Sequence, residues 1–461
     1  MSRFVSNCLL AVLAGGALAS LPVAADDITD LRAELESLKA QHAAQIASLE
    51  ARIVELESAQ AAAATVAPAT EAAPLPSAGT DMKAFNPAIS VILAGNYANL
   101  SQDPGTWAIA GFIPAGEEIG PGERSFNLGE SELTLSGSID PYFMGSITAA
   151  LSPENEIAVE EAYFRTLALP AGLMLKGGRF FSGLGYLNEI HAHAWDFIDQ
   201  PLVYQAFYGG QFAQDGLQLK WLAPTDLFVE FGAETGNGES FPGTRRGVNG
   251  ANGVTLFAHL GGDFADDWAW RGGVSWMELR AVEREYEDVN ALDQDVINAF
   301  TGKSRTWIVD ATLKWTRPGD PKRRSLKLQG EYMHRSEDGQ LAYDLATTDL
   351  AGSFDSAQSG WYLQGVYQFL PRWRVGARYD SLDSGSPRIG LVRSGALTAA
   401  DFPALASADP SRTTLMLDWS PSEFSRLRAQ YAWDDARDAA TDEQFFLQYI
   451  YSLGAHGAHK F

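Results

Sequence analysis

The chain has 461 residues, a single cysteine and a formal net charge of −24, with 46% apolar residues, 44 glycines, 24 Phe, 15 Tyr and 12 Trp. So acidic a chain is a poor partner for nucleic acid, and one cysteine excludes a disulfide framework or a Cys-based metal site. Mean hydropathy is only −0.12, and no stretch approaches the roughly 20 consecutive apolar residues of a transmembrane helix.

Arg3 precedes a short apolar run, Leu9 to Val23, which ends in Val23-Ala24-Ala25 ahead of Asp26-Asp27. A charged start, a short greasy core and small residues at the exit predict a signal peptide over 1–25, which would remove Cys8. Residues 26–60 predict a coiled coil. Ile28, Leu31, Leu35 and Leu38 are spaced 3-4-3, Ile46, Leu49, Ile53 and Leu56 repeat that spacing, and His42 bridges the two blocks as a stutter. His42 reads as a polar register-setting residue. Coiled coils need partner chains, so a homotrimer, or alternatively a dimer, is expected, with peptidoglycan a candidate contact for this segment. Residues 61–86, rich in Ala, Pro, Thr and Ser, predict a flexible linker.

From residue 87 to 461 the periodicity drops to two. In the last segment Phe445, Leu447, Tyr449, Tyr451 and Leu453 alternate with polar or small residues such as Gln448, Ser452 and Gly454, and the chain stops on Phe461. One greasy and one wet face is the signature of a strand between lipid and water. Seven tight turns are marked by Pro, Gly and Asp: Asp140-Pro141, Pro170 to Gly172, Pro224 to Asp226, Asp263 to Asp267, Pro318 to Lys322, Pro371-Arg372 and Pro421 to Glu423. Seven hairpins, an opening strand around Ile89 to Tyr97 and the closing strand predict an all-β transmembrane antiparallel barrel of about sixteen strands, wide enough for an aqueous lumen.

The residues between strand five and strand six, 182–212, carry Glu189, His191, His193, Asp196 and Asp199. Two histidines at i, i+2 in an extended segment point the same way, and with neighbouring carboxylates they are candidate ligands for zinc. The blander alternative is a folded loop whose His and Asp bond backbone groups, with Trp195 and Phe197 packed on the inner wall. Arg271, Lys314, Lys327, Glu331, Arg374 and Arg378 fall on predicted lumen positions. Acidic residues gather in predicted external connections: Glu283, Glu285, Glu287, Asp288, Asp293 and Asp295; Glu337, Asp338, Asp344, Asp349 and Asp355; Asp434, Asp435 and Asp438. Acidic mouths concentrate cations and basic walls favour anions, so ion preference stays open. There is no nucleophile elbow, phosphate loop or His-Glu-x-x-His, so no enzymatic activity and no cofactor is expected.

Glu160-Glu161-Ala162-Tyr163-Phe164, Leu175 to Gly185 and Trp195 to Val203 resemble the pattern of phosphate-selective porins. Phe85 to Ser90, His191 to Phe197 and Gly454 to His459 resemble a narrower group of outer-membrane barrels labelled zinc-regulated TonB-dependent receptors. The resemblance implies a bacterial outer-membrane location among lipid and lipopolysaccharide, and a third loop folded into the lumen. It also implies a channel passing small hydrophilic solutes, with zinc or another divalent metal as candidate cargo. An anion or phosphate-type porin and a structural envelope tether are the alternatives. Residues 26–86 are too few for the folded plug of an energised receptor, which favours passive passage.

Overall fold

The computed structural model describes residues 87–454 apart from 116–118, 153–155, 245–246, 248, 320–322, 349 and 439. The predicted signal peptide, coiled coil and linker, with His456, His459 and Phe461, lie outside the described residues.

Alternating side chains build a wall of antiparallel strands. β1 (Ala88–Leu100) pairs with both pieces of β2, Ser125–Leu128 and Ser131–Ser138. Six modest strands follow: β3 (Phe143–Leu151), β4 (Ile157–Thr166), β5 (Leu173–Phe181), β6 (Ala213–Leu222), β7 (Phe228–Gly236) and β8 (Gly253–Ala265). The next four are 19 to 22 residues long: β9 (Trp268–Val289), β10 (Asp295–Thr316), β11 (Ser325–Tyr343) and β12 (Leu350–Leu370). β13 (Trp373–Asp383), β14 (Ser411–Ser422), β15 (Ser425–Asp435) and β16 (Asp442–Gly454) complete the set. β16 pairs back onto β1, from Leu100↔Gln444 to Ser90↔Gly454, so the sheet closes without a free edge. A further two-residue strand, Arg388–Ile389, pairs with β12 from within a connection and is not part of the wall. The seven turns read from Pro, Gly and Asp fall at junctions of consecutive strands, two of them overlapping the ends of β8 and β14, and the sixteen-strand barrel is the one expected.

The outer face carries the apolar residues. On β16, Leu447, Tyr449 and Leu453 are exposed while Gln444, Phe446 and Ile450 turn inward. Aromatic pairs form one row beside the short turns, including Trp268 with Trp315 (6.4 Å between ring centres) and Trp373 with Trp419 (5.8 Å). A second row includes Trp276 with Trp307 (6.4 Å) and Trp361 with Tyr379 (5.6 Å). Eight residues separate Trp268 from Trp276, about 26 Å along a strand at about 3.3 Å per residue. Closed backbone pairing and an apolar band between two aromatic rows satisfy what lipid demands. The protein is a β-barrel of the bacterial outer membrane, with its short turns on the periplasmic side by the usual asymmetry of such barrels.

Of the acidic residues assigned to external connections, Asp293, Asp344 and Asp438 lie there, Asp349 is outside the described residues, Asp295 opens β10, and the rest sit in strands. Glu283, Glu285, Glu287 and Asp288 belong to β9, Glu337 and Asp338 to β11, Asp355 to β12, and Asp434 and Asp435 to β15. Strand pairing continues well past the second aromatic row, where outward positions meet water instead of lipid and become polar while the alternation persists. Glu337 points inward and is buried against Arg284 (2.8 Å).

The lumen is not simply water. The 101–124 connection buries Ile109, Phe112 and Ile113, and the 384–410 connection buries Ile389, Leu391, Phe402 and Leu405. They join inward apolar residues of the long strands, such as Phe300, Leu341 and Phe354, in clusters inside the barrel. A sixteen-stranded wall is too wide for its own side chains to fill, and chain segments take up the outer part of that space.

Candidate functional site

The 182–212 connection, hereafter the inner loop, folds into the barrel. It leaves β5 with the Ser182 hydroxyl and the Gly183 N–H donating to Glu234 (2.5 and 2.8 Å). Gly185 then turns at φ +62°, where a Cβ would meet a Glu331 carboxylate oxygen at 2.3 Å and the Tyr204 hydroxyl at 2.9 Å. Only glycine permits that approach. Buried Glu331 accepts the N–H groups of Tyr186 and Leu187 (3.0 and 3.1 Å) and the hydroxyls of Tyr204 and Tyr362. Helix α1 (Leu202–Tyr208) is wholly buried. Leu202 N–H donates to Asp380 (3.0 Å), and Arg335 donates to the carbonyls of Ala206 and Phe207 (both 3.3 Å) at the helix C-terminus, where a cation suits the dipole. Gly360 on β12 makes room for Val203.

The carboxylates of the loop reach wall cations. Glu189 lies 3.2 Å from Lys220 and 3.8 Å from Lys176. Asp196 pairs with Lys327 and with Arg374 (3.0 Å). Asp199 lies 3.0 Å from Arg378 and 2.8 Å from Arg412. Burial alone would raise the pKa of Asp196, but Lys327 and Arg374 outweigh it and hold the carboxyl well below the usual range. Asp199 is depressed in the same way, with Arg378 and Arg412 overcoming burial. Such groups stay ionised at neutral pH.

The histidines reach wall carboxylates. In β4 the register skips: Thr148 of β3 faces Glu161, and Ala149 faces Val159. Glu160 is thus the extra residue of a β-bulge, which redirects a side chain that strict alternation would send to lipid. As a result two consecutive carboxylates meet one imidazole. His191 Nδ1 lies 3.3 Å from Glu160 Oε2, and its Nε2 lies 3.1 Å from Glu161 Oε2. Glu132 on β2 bridges both rings, 3.3 Å from His191 Nδ1 and 2.7 Å from His193 Nδ1. The two imidazoles stack with centres 5.9 Å apart. Burial pulls His191 toward its neutral form, but the carboxylates of Glu132, Glu160 and Glu161 around the ring outweigh it and raise its pKa well above the ordinary histidine value.

On the turn side of the loop lies a cavity of about 590 Å³. Glu132, Glu161, His191 and His193 border it on one side, and Lys314, Lys327, Arg374 and Arg426 also line it. β2 and β10 are eight strands apart, half the circumference, so Glu132 and Lys314 face each other across the barrel.

Of the five residues read as candidate metal ligands, only His191 and His193 come together; Glu189, Asp196 and Asp199 go to cations on three other parts of the wall. Of the six predicted lumen residues, Lys314, Lys327 and Arg374 line the cavity. Arg271 points inward toward Asp310 (3.5 Å), while Glu331 and Arg378 are buried as anchors of the loop. Sequence reasoning missed the partners of the histidines. Glu132 is an inward carboxylate in an otherwise ordinary strand. The Glu160-Glu161 pair did carry a signal: two adjacent charges in an alternating strand put one toward lipid unless a bulge intervenes.

The sequence matches no family model. A protein of Aquifex aeolicus (strain VF5), described as an uncharacterized protein, is 32% identical over 355 residues, which are 74% of this chain and 71% of that one. The chain belongs to that protein's family. Among solved structures, a loop L8 deletion mutant of the Vibrio cholerae outer membrane protein OmpT is similar with a TM-score of 0.49 at 12% identity, over 80% of this chain and 99% of that one. The outer membrane channel DcaP of Acinetobacter baumannii gives 0.45 at 14%, over 80% and 96% of the two chains. An anion-selective porin from Comamonas acidovorans gives 0.45 at 9%, over 80% and 99%.

Proposed function

We propose that the protein is a porin-like channel through which small hydrophilic solutes cross the outer membrane passively, with the inner loop as its constriction. The observation that supports this most directly is the charged cavity of about 590 Å³ against the loop, bordered by the carboxylates and imidazoles of β2, β4 and the loop, by Lys314 and Lys327 across the barrel, and by Arg374 and Arg426 between them. Charges of opposite sign across a water-filled passage orient a polar solute and disfavour an apolar one. Opening of the outer half needs the apolar contacts of the 101–124 and 384–410 connections to part, so conduction is expected in discrete steps.

Two finer readings follow from the two sides. The imidazole and carboxylate side favours divalent metal such as zinc as a passing ion; the basic side favours phosphate-like anions. Reversal potentials across planar bilayers with unequal salt decide between them. Cation preference that falls in Glu132→Gln supports the first, and anion preference that falls in Lys327→Gln with Lys314→Gln supports the second. Single-channel recordings that show no conductance from correctly folded protein overturn the channel itself. Homotrimeric assembly is part of the proposal, checked by the native mass of detergent-purified protein.

A further inference from the structure

We propose that His191, Glu132 and Glu160 bind a divalent transition-metal ion that fastens the inner loop to the barrel wall. The ion is here a resident of the protein and not its cargo. Its regulatory meaning rests on the channel reading; its chemistry does not.

His191 Nδ1 lies 3.3 Å from Glu132 Oε2 and 3.3 Å from Glu160 Oε2. One ligand atom from each of the three residues falls within 4.8 Å of the others. Metal–nitrogen and metal–oxygen bonds of about 2.0–2.1 Å at tetrahedral angles place neighbouring ligand atoms about 3.3 Å apart. The spacing therefore suits atoms that share an ion.

The hydrogen bonding agrees. His191 Nδ1 and Glu160 Oε2 are shut off from solvent, yet neither makes a hydrogen bond with acceptable geometry. Two buried polar atoms that approach without bonding each other are costly unless a third body satisfies both. The far ends of the same side chains are occupied. His191 Nε2 meets Glu161 Oε2 at 3.1 Å, and Glu132 Oε1 meets His193 Nδ1 at 2.7 Å. A carboxylate holding the distal nitrogen of a ligating imidazole is the usual outer support of such a centre. An imidazole with two carboxylates suits zinc, cobalt or nickel better than calcium or magnesium, and three protein ligands leave a fourth position for water.

The backbone adds an independent sign. β4 gives up a ladder position to a bulge, and that bulge is what brings Glu160 to His191. The site also joins three separate pieces of the molecule, β2, β4 and the inner loop, so an ion there ties the loop to the wall.

The test uses full-length protein, extracted in detergent, stripped with EDTA and titrated with Co²⁺. Wild type is expected to bind one equivalent with visible absorption bands, and zinc to bleach them. His191→Ala should abolish the signal, and the shape-preserving Glu160→Gln should weaken it at least tenfold. Native folding of each variant is checked by heat-modifiable gel mobility. Amide exchange across 187–194 should slow when the ion binds. No saturable binding by folded wild type, binding that survives both substitutions, or binding without slowed exchange would overturn the proposal. Protein that binds the ion and slows exchange but conducts nothing overturns the channel reading and leaves the fastening in place.

Discussion

The inner loop is held at two places by opposite chemistry. Past Asp196 it gives carboxylates to arginines and a lysine of β11, β13 and β14. Around His191 it gives imidazoles to carboxylates of β2 and β4. At the first attachment the Arg378 and Arg412 side chains are 1% and 3% exposed and those of Lys327 and Arg374 23%, and its acids are ionised across the physiological range. The second is no more open, with His191 21% exposed, but its strength depends on whether the ring carries a proton or a metal. One loop is therefore fixed at one end and adjustable at the other, which is the arrangement a constriction needs if it is to move without leaving the lumen.

The largest effect is expected from breaking the fixed end. Asp199→Ala removes one of the two carboxylates that Arg378 and Arg412 share, the other being Asp380, and loss of a buried ion partner costs about 3–5 kcal/mol. A clear fall in the thermal unfolding midpoint in detergent checks this; an unchanged midpoint would mean that Asp380 alone suffices for both arginines. Next comes the shelf on which α1 rests. A Cβ at Gly360 would sit 2.3 Å from Leu382 Cδ2 and 2.9 Å from Val203 Cγ2. Gly360→Ala should therefore cost about 1–3 kcal/mol by overpacking and raise the frequency of open-channel events.

A smaller effect is expected at the adjustable end. In metal-free protein His191→Ala should speed amide exchange of residues 187–194 about tenfold, as expected for lost hydrogen bonds to charged groups worth about 1.5 kcal/mol, with the unfolding midpoint little changed. The smallest effect is one of pH alone. The raised pKa of His191 means that its stabilisation is fully present below its ordinary value of 6.5 and is lost as pH rises through the higher folded-state value. The lowered values of Asp196 and Asp199 mean the reverse: their contribution is present above 3.8 and is lost only as pH falls through still lower values. A spin label at Ala192→Cys, with EDTA present, should gain mobility on the alkaline side, while release of the Asp199 end is confined to strong acid.

How much of this could be read from the chain differs between wall and loop. The wall is local. Period-two stripes such as Phe445 to Leu453 and the seven Pro, Gly and Asp turns decide strand number within short windows, and each of those turns joins consecutive strands. The loop is not local. His191 meets Glu132, 59 residues earlier, and Asp199 meets Arg378, 179 residues later. Nothing in the spacing of His191, His193, Glu189, Asp196 and Asp199 reveals that the acids would leave the histidines for distant cations. That choice depends on the curvature of the closed sheet, which brings strands far apart in sequence to one depth. The misplaced acids of β9 and β11 have a related cause. Polarity outside the lipid hides a strand from a search for greasy stripes, although its pairing is unbroken.

The unequal heights of the strands have a topographic outcome. β7 has nine residues, Phe228–Gly236, about 26 Å from end to end, and β9 has 22, Trp268–Val289, about 70 Å. The hairpins β9–β10 and β11–β12 thus stand as a parapet on one flank of the pore, studded with Glu285, Glu287, Asp338 and Asp355. An antibody or phage fibre arriving from outside meets that parapet before it meets lipid, so its outward side chains are exposed to the surroundings of the cell.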